Sequence, residues 1–259
     1  MKFRFLLTLL ITYAMVLSMA FSAYADTSSL HHDLTLETVE EIERANFKPV
    51  LDQREDVGAH WFDDAVFIGD SVSVYLSKFG GGEDALGNAT FLVAGSYSAT
   101  NALRPVSGKS LHPPFQGTKM RSEDAIALSG ATKVYIMLGM NDIGMGLDRA
   151  IETYITFVRS ILEKAPGVQI YVQSVTPMVK GSTSSGKSLN NANISLFNEQ
   201  MKAICQENGW YYVDVASILM DEEGYLRAEY CGDNPTMGIH IRPSVVPLWV
   251  EYLRTHTPQ

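Results

Sequence analysis

The chain has 259 residues, 46% of them apolar and 19% charged, which suits one buried α/β core and leaves little room for a second domain of similar size. A net charge of −9 lacks the positive footprint that nucleic acid or an anionic membrane surface requires in a partner. Two cysteines, Cys205 and Cys231, are too few for a disulfide-built scaffold but allow one bridge. No Cys/His cluster has zinc spacing, and His31 and His32 read as a solvated pair, so no zinc site is expected.

In chain order, Lys2 and Arg4 precede an uncharged apolar run from Phe5 to Phe21, and Ala23-Tyr24-Ala25 then supplies a small-x-small cleavage pattern. Residues 1–25 are read as a signal peptide, so the expected location is secreted, periplasmic or cell-envelope. The same run sits at the short edge of what spans a bilayer, which leaves an uncleaved anchor as the alternative. Loss of the leader removes Lys2 and Arg4 and makes the chain two charges more acidic, and no stable membrane insertion is expected after cleavage. Residues 26–61 are read as an N-terminal helical extension. From Leu36 to Asp56, positions Leu36, Val39 and Ile42 fall at helical spacing, with Pro49 interrupting.

Beyond residue 62 short apolar runs alternate with amphipathic stretches, the rhythm of parallel strands joined by crossover helices. Strands are expected at Ala65 to Gly69, Thr90 to Ala94, Lys133 to Leu138, Gln169 to Ser174 and Tyr211 to Val215. Helices are expected at Asp148 to Lys164, Ile194 to Asn208 and Ser244 to Arg254, with Gly167, Gly209 and Pro243 as boundary signals. Arg104 to Arg121 and Lys180 to Asn193 are long and polar, and are expected to be loops bordering a crevice at the strands' carboxyl ends.

Four short motifs fall at such ends. Phe67-Ile68-Gly69-Asp70-Ser71 places Ser71 where a strand meets a helix N-terminus, whose amides favour a developing oxyanion, although serine is also a common helix cap. Leu138-Gly139-Met140-Asn141-Asp142 puts a side-chain amide at the end of another strand, where local capping is the competing explanation. Gly95, in Ala94-Gly95-Ser96, lets backbone approach a ligand. His240, in Gly238-Ile239-His240-Ile241-Arg242-Pro243, lies in a loop before the last helix.

These four motifs in this order resemble the SGNH (GDSL-type) hydrolase superfamily, over about residues 62 to 256. The resemblance implies a three-layer αβα sandwich on a five-stranded parallel sheet of flavodoxin-like kind, spanning residues 62–259. It also implies ester hydrolysis through an acyl-enzyme, with neither a metal nor an organic cofactor: Ser71 attacks, His240 takes its proton, and the Ser71 amide, the Gly95 amide and the Asn141 side chain hold the oxyanion. The sequence departs from the family at the acid, for Met237 stands three residues before His240 where an aspartate is usual. A thioether cannot replace a carboxylate. Asp233 is the nearest upstream carboxylate, but its seven-residue offset favours a backbone carbonyl, with a Ser-His dyad, over Asp233.

The expected partner is an ester substrate, small or borne on a carbohydrate or cell-wall polymer. An O-acyltransferase using the same residues, and a binding protein that lost turnover with the family aspartate, are the competing readings. Gly69-x-Ser71-x-Ser73 lacks the second glycine of an α/β-hydrolase elbow, and Gly80-Gly81-Gly82 lacks phosphate-loop spacing.

Overall fold

The computed structural model describes residues 44–82, 84–233 and 237–258. Two units are distinguished, one ending at Phe47 and one running from Lys48. The leader and the helix expected from Leu36 up to residue 43 lie outside the described residues.

Five strands, β1 (Ala65–Gly69), β2 (Thr90–Val93), β5 (Lys133–Met137), β6 (Gln169–Gln173) and β7 (Tyr211–Val213), form one sheet in the order β2-β1-β5-β6-β7. All four pairings are parallel. Counted within the sheet alone this is the flavodoxin-like order. Each expected strand is present, β1 with the expected bounds and the other four ending one or two residues early, before Ala94, Leu138, Ser174 and Asp214.

The strands read as nearly continuous apolar runs because both faces of the sheet are covered. Val66, Ile68, Val134, Ile136, Ile170 and Val172 face one way, into a core shared with α2 (Ala99–Ala102), α3 (Ser122–Ser129), α4 (Leu147–Lys164) and α5 (Asn191–Asn208). The intervening Ala65, Phe67, Tyr135, Met137 and Tyr171 face a second core with α1 (Ser71–Phe79), α6 (Val215–Leu219) and α7 (Val246–Thr255). On this second face one aromatic ring per strand stands in register. Phe91, Phe67, Tyr135, Tyr171 and Tyr211 stack in sequence with centroids 4.3–5.3 Å apart.

The long helices follow from spacing. In α4, Ala150, Ile151, Tyr154, Phe157, Val158 and Ile161 are buried, one stripe at three- and four-residue steps. The Asn190 side chain accepts from Asn193 N to cap α5, three residues ahead of the expected start.

Two stretches differ from expectation. Residues 48–58 are not helical: Tyr212 N donates to Pro49 O and Val50 pairs with Tyr212, so the segment starts beside β7, and further on Arg54 N and Val57 N donate to Thr255 O and Arg254 O at the end of α7. Pro49 explains this, since it lacks an N–H and biases the preceding residue towards extended backbone. The Arg104 to Arg121 loop contains a two-stranded hairpin, β3 (Pro114–Phe115) and β4 (Thr118–Lys119). Gln116 and Gly117 between them have φ of 48° and 80°, the pair of positive values that a two-residue type I′ turn needs. Cys205 and Cys231 belong to the two opposite cores and form no bridge. Among the described residues no helix is long and apolar enough to cross a membrane.

Candidate active site

The strand order reverses at β1, whose two neighbours, β2 and β5, are reached on opposite sides. Outside the carboxyl ends of such strands the diverging loops leave a crevice, and the predicted residues collect there. Ser71 is the first residue of α1, with Asp70 as its cap: Asp70 Oδ1 accepts from Val72 N at 2.9 Å. Gly69 makes the turn sterically feasible, because a Cβ there would lie 2.0 Å from Ser73 Oγ.

Ser71 Oγ lies 2.9 Å from His240 Nε2, and His240 Nδ1 lies 2.7 Å from Asp233 Oδ2. A carboxylate can only accept, so the proton of the neutral ring sits on Nδ1, and Nε2 accepts from the Ser71 hydroxyl. Asp233 Oδ1 in turn accepts from Ile239 N, His240 N and Cys231 Sγ, at 3.1, 3.2 and 3.0 Å. Desolvation pushes the Asp233 carboxyl up, but the bonds from Cys231 and His240 outweigh it and hold it below its ordinary value.

The expected carbonyl-assisted dyad is therefore corrected, because a carboxylate occupies the place proposed for a backbone carbonyl. Cys231 pairs with Ile241 as an antiparallel bridge, and Gly232 N donates to His240 O at 2.7 Å, so the chain doubles back and sets Asp233 beside His240. Met237 is 45% exposed, and its carbonyl accepts from Ser182 Oγ while Val179 N donates to Gly238 O. In this way the Lys180 to Asn193 loop braces the histidine loop.

Across the crevice Asn141 Nδ2 donates to Asp70 Oδ2 and to Tyr97 O, both at 3.2 Å. Gly139 sets this turn: its φ is 138°, and a Cβ would lie 2.8 Å from both Phe197 and Val175. Asp142 is fully buried and does more than cap its own turn. It accepts from Ala99 N, Thr100 N and Thr100 Oγ1 at 2.8–3.1 Å, tying the Asn141 loop to the start of α2 and so to the Gly95–Ser98 segment. Gly95 is exposed, a Cβ there would meet nothing, and Ser96 next to it holds a left-handed φ of 54°.

Sequence reasoning did not single out Asp70 or assign Asp142 its long-range bonds. Burial pushes Asp70 up to about 6, against the Val72 amide and His240, and the nearby Asp142 adds to the rise. Met137, Met140 and Met178 are buried and pack as core, while Met145 and Met237 are exposed. Among the described residues no group of three or more His, Cys, Asp or Glu is placed to hold a metal. A cavity of about 480 Å³ lies beyond the carboxyl ends of β6 and β7, against α5, and none of Ser71, Asp233 or His240 lines it. The serine stands instead at the start of α1, beside His240.

The arrangement can move a proton from a serine hydroxyl to a histidine, and it holds a side-chain amide, Asn141 Nδ2, against Asp70 next to that serine. Residues 67–244 match the family model of the GDSL-like lipase/acylhydrolase family. Among solved structures, the fold is similar to that of a GDSL-like lipase from Bacteroides thetaiotaomicron, with a TM-score of 0.53 and 15% identity, covering 81% of this chain and 92% of that one. A Streptococcus pneumoniae protein provisionally assigned as a platelet activating factor has a TM-score of 0.53 and 17% identity over 88% and 97% of the two chains. A Bacteroides fragilis protein provisionally assigned as an acylhydrolase reaches 0.51, with 17% identity over 80% and 89%. No curated protein matches the chain by sequence.

Proposed function

Because the chain belongs to the GDSL-like lipase/acylhydrolase family of ester hydrolases, within the SGNH superfamily, we propose that it cleaves acyl esters through an acyl-enzyme on Ser71. The observation that carries this reading is the unbroken hydrogen-bonded chain from Ser71 through His240 to Asp233. Ser71 Oγ attacks the ester carbonyl as its proton passes to His240 Nε2, and Asp233 stabilises the imidazolium without taking a proton. The carbonyl oxygen becomes an anion facing the Ser71 and Gly95 amides and Asn141 Nδ2, at a helix N-terminus whose dipole also favours negative charge. As the carbon–oxygen bond to the alcohol breaks, His240 returns its proton to the leaving oxygen. Water, deprotonated by the same nitrogen, then releases the acid and restores Ser71.

Asn141 enters this scheme already oriented, since both of its amide hydrogens have partners at long range. Such bonds readjust when a substrate oxygen arrives. A binding protein without turnover was suggested by the lack of a carboxylate at Met237, and the place of Asp233 removes that motive. Residues 1–25, read from the sequence as a leader, support action outside the cytoplasm, to be checked by N-terminal sequencing of exported protein. A panel of short-chain, long-chain and carbohydrate-borne esters, with acid quenching and mass spectrometry of the Ser71 peptide, tests the reaction. Turnover with an acyl adduct on Ser71 supports it, and turnover with the adduct elsewhere contradicts it.

A further inference from the structure

The face of α1 that begins at Ser71 continues as aromatic surface. Tyr75, one turn on, is half-buried with its ring 6.3 Å from that of His240, and Phe79, a further turn on, is 51% exposed. The two rings stack, with centroids 6.3 Å apart and planes 29° from parallel. At 1.5 Å per residue the stripe from Ser71 to Phe79 is ~12 Å long, room for more than one sugar ring. Beyond Phe79 it opens into a hollow of about 350 Å³ between α1 and α7. Phe79, Pro247 and Val250 give that hollow apolar walls, and Asp84, Glu251 and Arg254 give it polar ones. A half-buried and an exposed aromatic ring followed by carboxylate and guanidinium groups make a surface for sugars, whose ring faces are apolar and whose edges carry hydroxyls.

The position relative to His240 decides which part of the substrate would lie there. The carbonyl oxygen points towards Gly95 and Asn141, while the alcohol leaves on the side of the group that protonates it, His240 Nε2. Tyr75 adjoins that ring, so the shelf is on the alcohol side. Asp56, Asp84 and Glu251 around the hollow outnumber Arg254, which Asp56 already engages at 2.7 Å. An anionic polymer would be repelled.

We infer that the Tyr75–Phe79 shelf and the hollow beyond it bind an uncharged sugar chain whose hydroxyl carries the scissile acyl group. This rests on the serine-esterase reading above and names the alcohol that reading leaves open. In the step concerned the Ser71 Oγ–acyl bond forms, the bond between acyl carbon and sugar oxygen breaks, and the sugar oxygen takes the proton held by His240.

The test compares one acyl group on different alcohols: acetylated cello-oligosaccharides, acetylated oligogalacturonides and ethyl acetate, with wild type, Tyr75→Ala, Tyr75→Phe and Phe79→Ala. Stacked aromatic contacts of this kind correspond to roughly three- to tenfold in affinity. Each alanine variant is expected to lose kcat/KM on the cello-oligosaccharide by that factor beyond its loss on ethyl acetate, chiefly through KM. Tyr75→Phe should restore most of it, and the wild type should prefer the neutral oligosaccharide over the galacturonide. Equal losses on all alcohols, or a wild type that does not favour the neutral oligosaccharide, would overturn the inference. Ser71→Ala separates the two levels. If it abolishes ethyl acetate hydrolysis while the shelf variants show no dependence on the alcohol, the shelf inference alone falls. If it leaves that hydrolysis intact, both fall.

Discussion

Replacing Asp233 by asparagine tests the relay with almost no change in shape. The wild-type carboxylate divides its work: Oδ1 accepts from Ile239 N and His240 N, and Oδ2 lies 2.7 Å from His240 Nδ1. An asparagine must keep its carbonyl oxygen towards the two backbone amides, which leaves its NH2 facing Nδ1. Nδ1 then accepts, the ring proton moves to Nε2, and Nε2 can no longer take the proton of Ser71. Loss of a relay aspartate in this way lowers kcat by about 10⁴-fold in serine proteases, on the order of 5.5 kcal/mol of barrier. A charge-assisted hydrogen bond contributes about 1.5–3 kcal/mol to folding, so Asp233→Asn should keep its fold with only a modestly lower Tm. The assay is kcat on a saturating short-chain ester, beside circular dichroism and a thermal scan. A loss under about tenfold, with the fold intact, would refute the reasoning and return the orienting role to another group.

Asn141→Ala should lower kcat by about 10²- to 10³-fold with little change in KM, as expected when one oxyanion donor is removed; a pure KM effect would assign Asn141 to ground-state binding. Asp70 gives a pH dependence with a definite sign. Its folded value of about 6 lies above the ordinary 3.8, so between these pH values the folded chain holds a proton that the unfolded chain has lost. Stability falls as pH rises through that window. The shift corresponds to roughly 3 kcal/mol, and Asp70→Asn, which keeps a good helix cap, should flatten the dependence in urea titrations from pH 4 to 7 while lowering kcat through the lost Asn141 contact. Wild type and variant with parallel pH curves would rule this out. Gly139→Ala should lower both Tm and kcat, because its Cβ would press on Phe197 and Val175 at a φ of 138°; a neutral result would mean that the Asn141 turn tolerates a side chain.

Much of this architecture is written locally. Lys133–Met137 and Gln169–Gln173 are apolar runs bounded by turn residues, and α4 carries a helical stripe, so the strands and the long helix can be read from spacing alone. The I′ hairpin at Gln116-Gly117 escapes such reading because glutamine carries no cue for a left-handed φ. The non-helical run past Pro49 escapes because its partner, Tyr212, is more than 160 residues away. Ser71, Gly95, Asn141 and His240 stand at strand ends or loop boundaries that the sequence marks. The acid does not, because counting residues back from His240 measures distance along the chain. What sets Asp233 beside the ring is a cross-chain pairing of Cys231 with Ile241. Asp70 and Asp142 are likewise adjacent in sequence to marked residues, but their importance lies in burial and in bonds to partners tens of residues away.

The central claim is that Ser71 is the nucleophile, and the most direct measurement is active-site labelling of the purified chain with a fluorophosphonate probe. The account predicts stoichiometric labelling of wild type, with the adduct mapped to Ser71. Ser71→Ala should lose both labelling and esterase activity at a nearly unchanged Tm. Equal labelling of wild type and Ser71→Ala, or an adduct on any other serine, would contradict it.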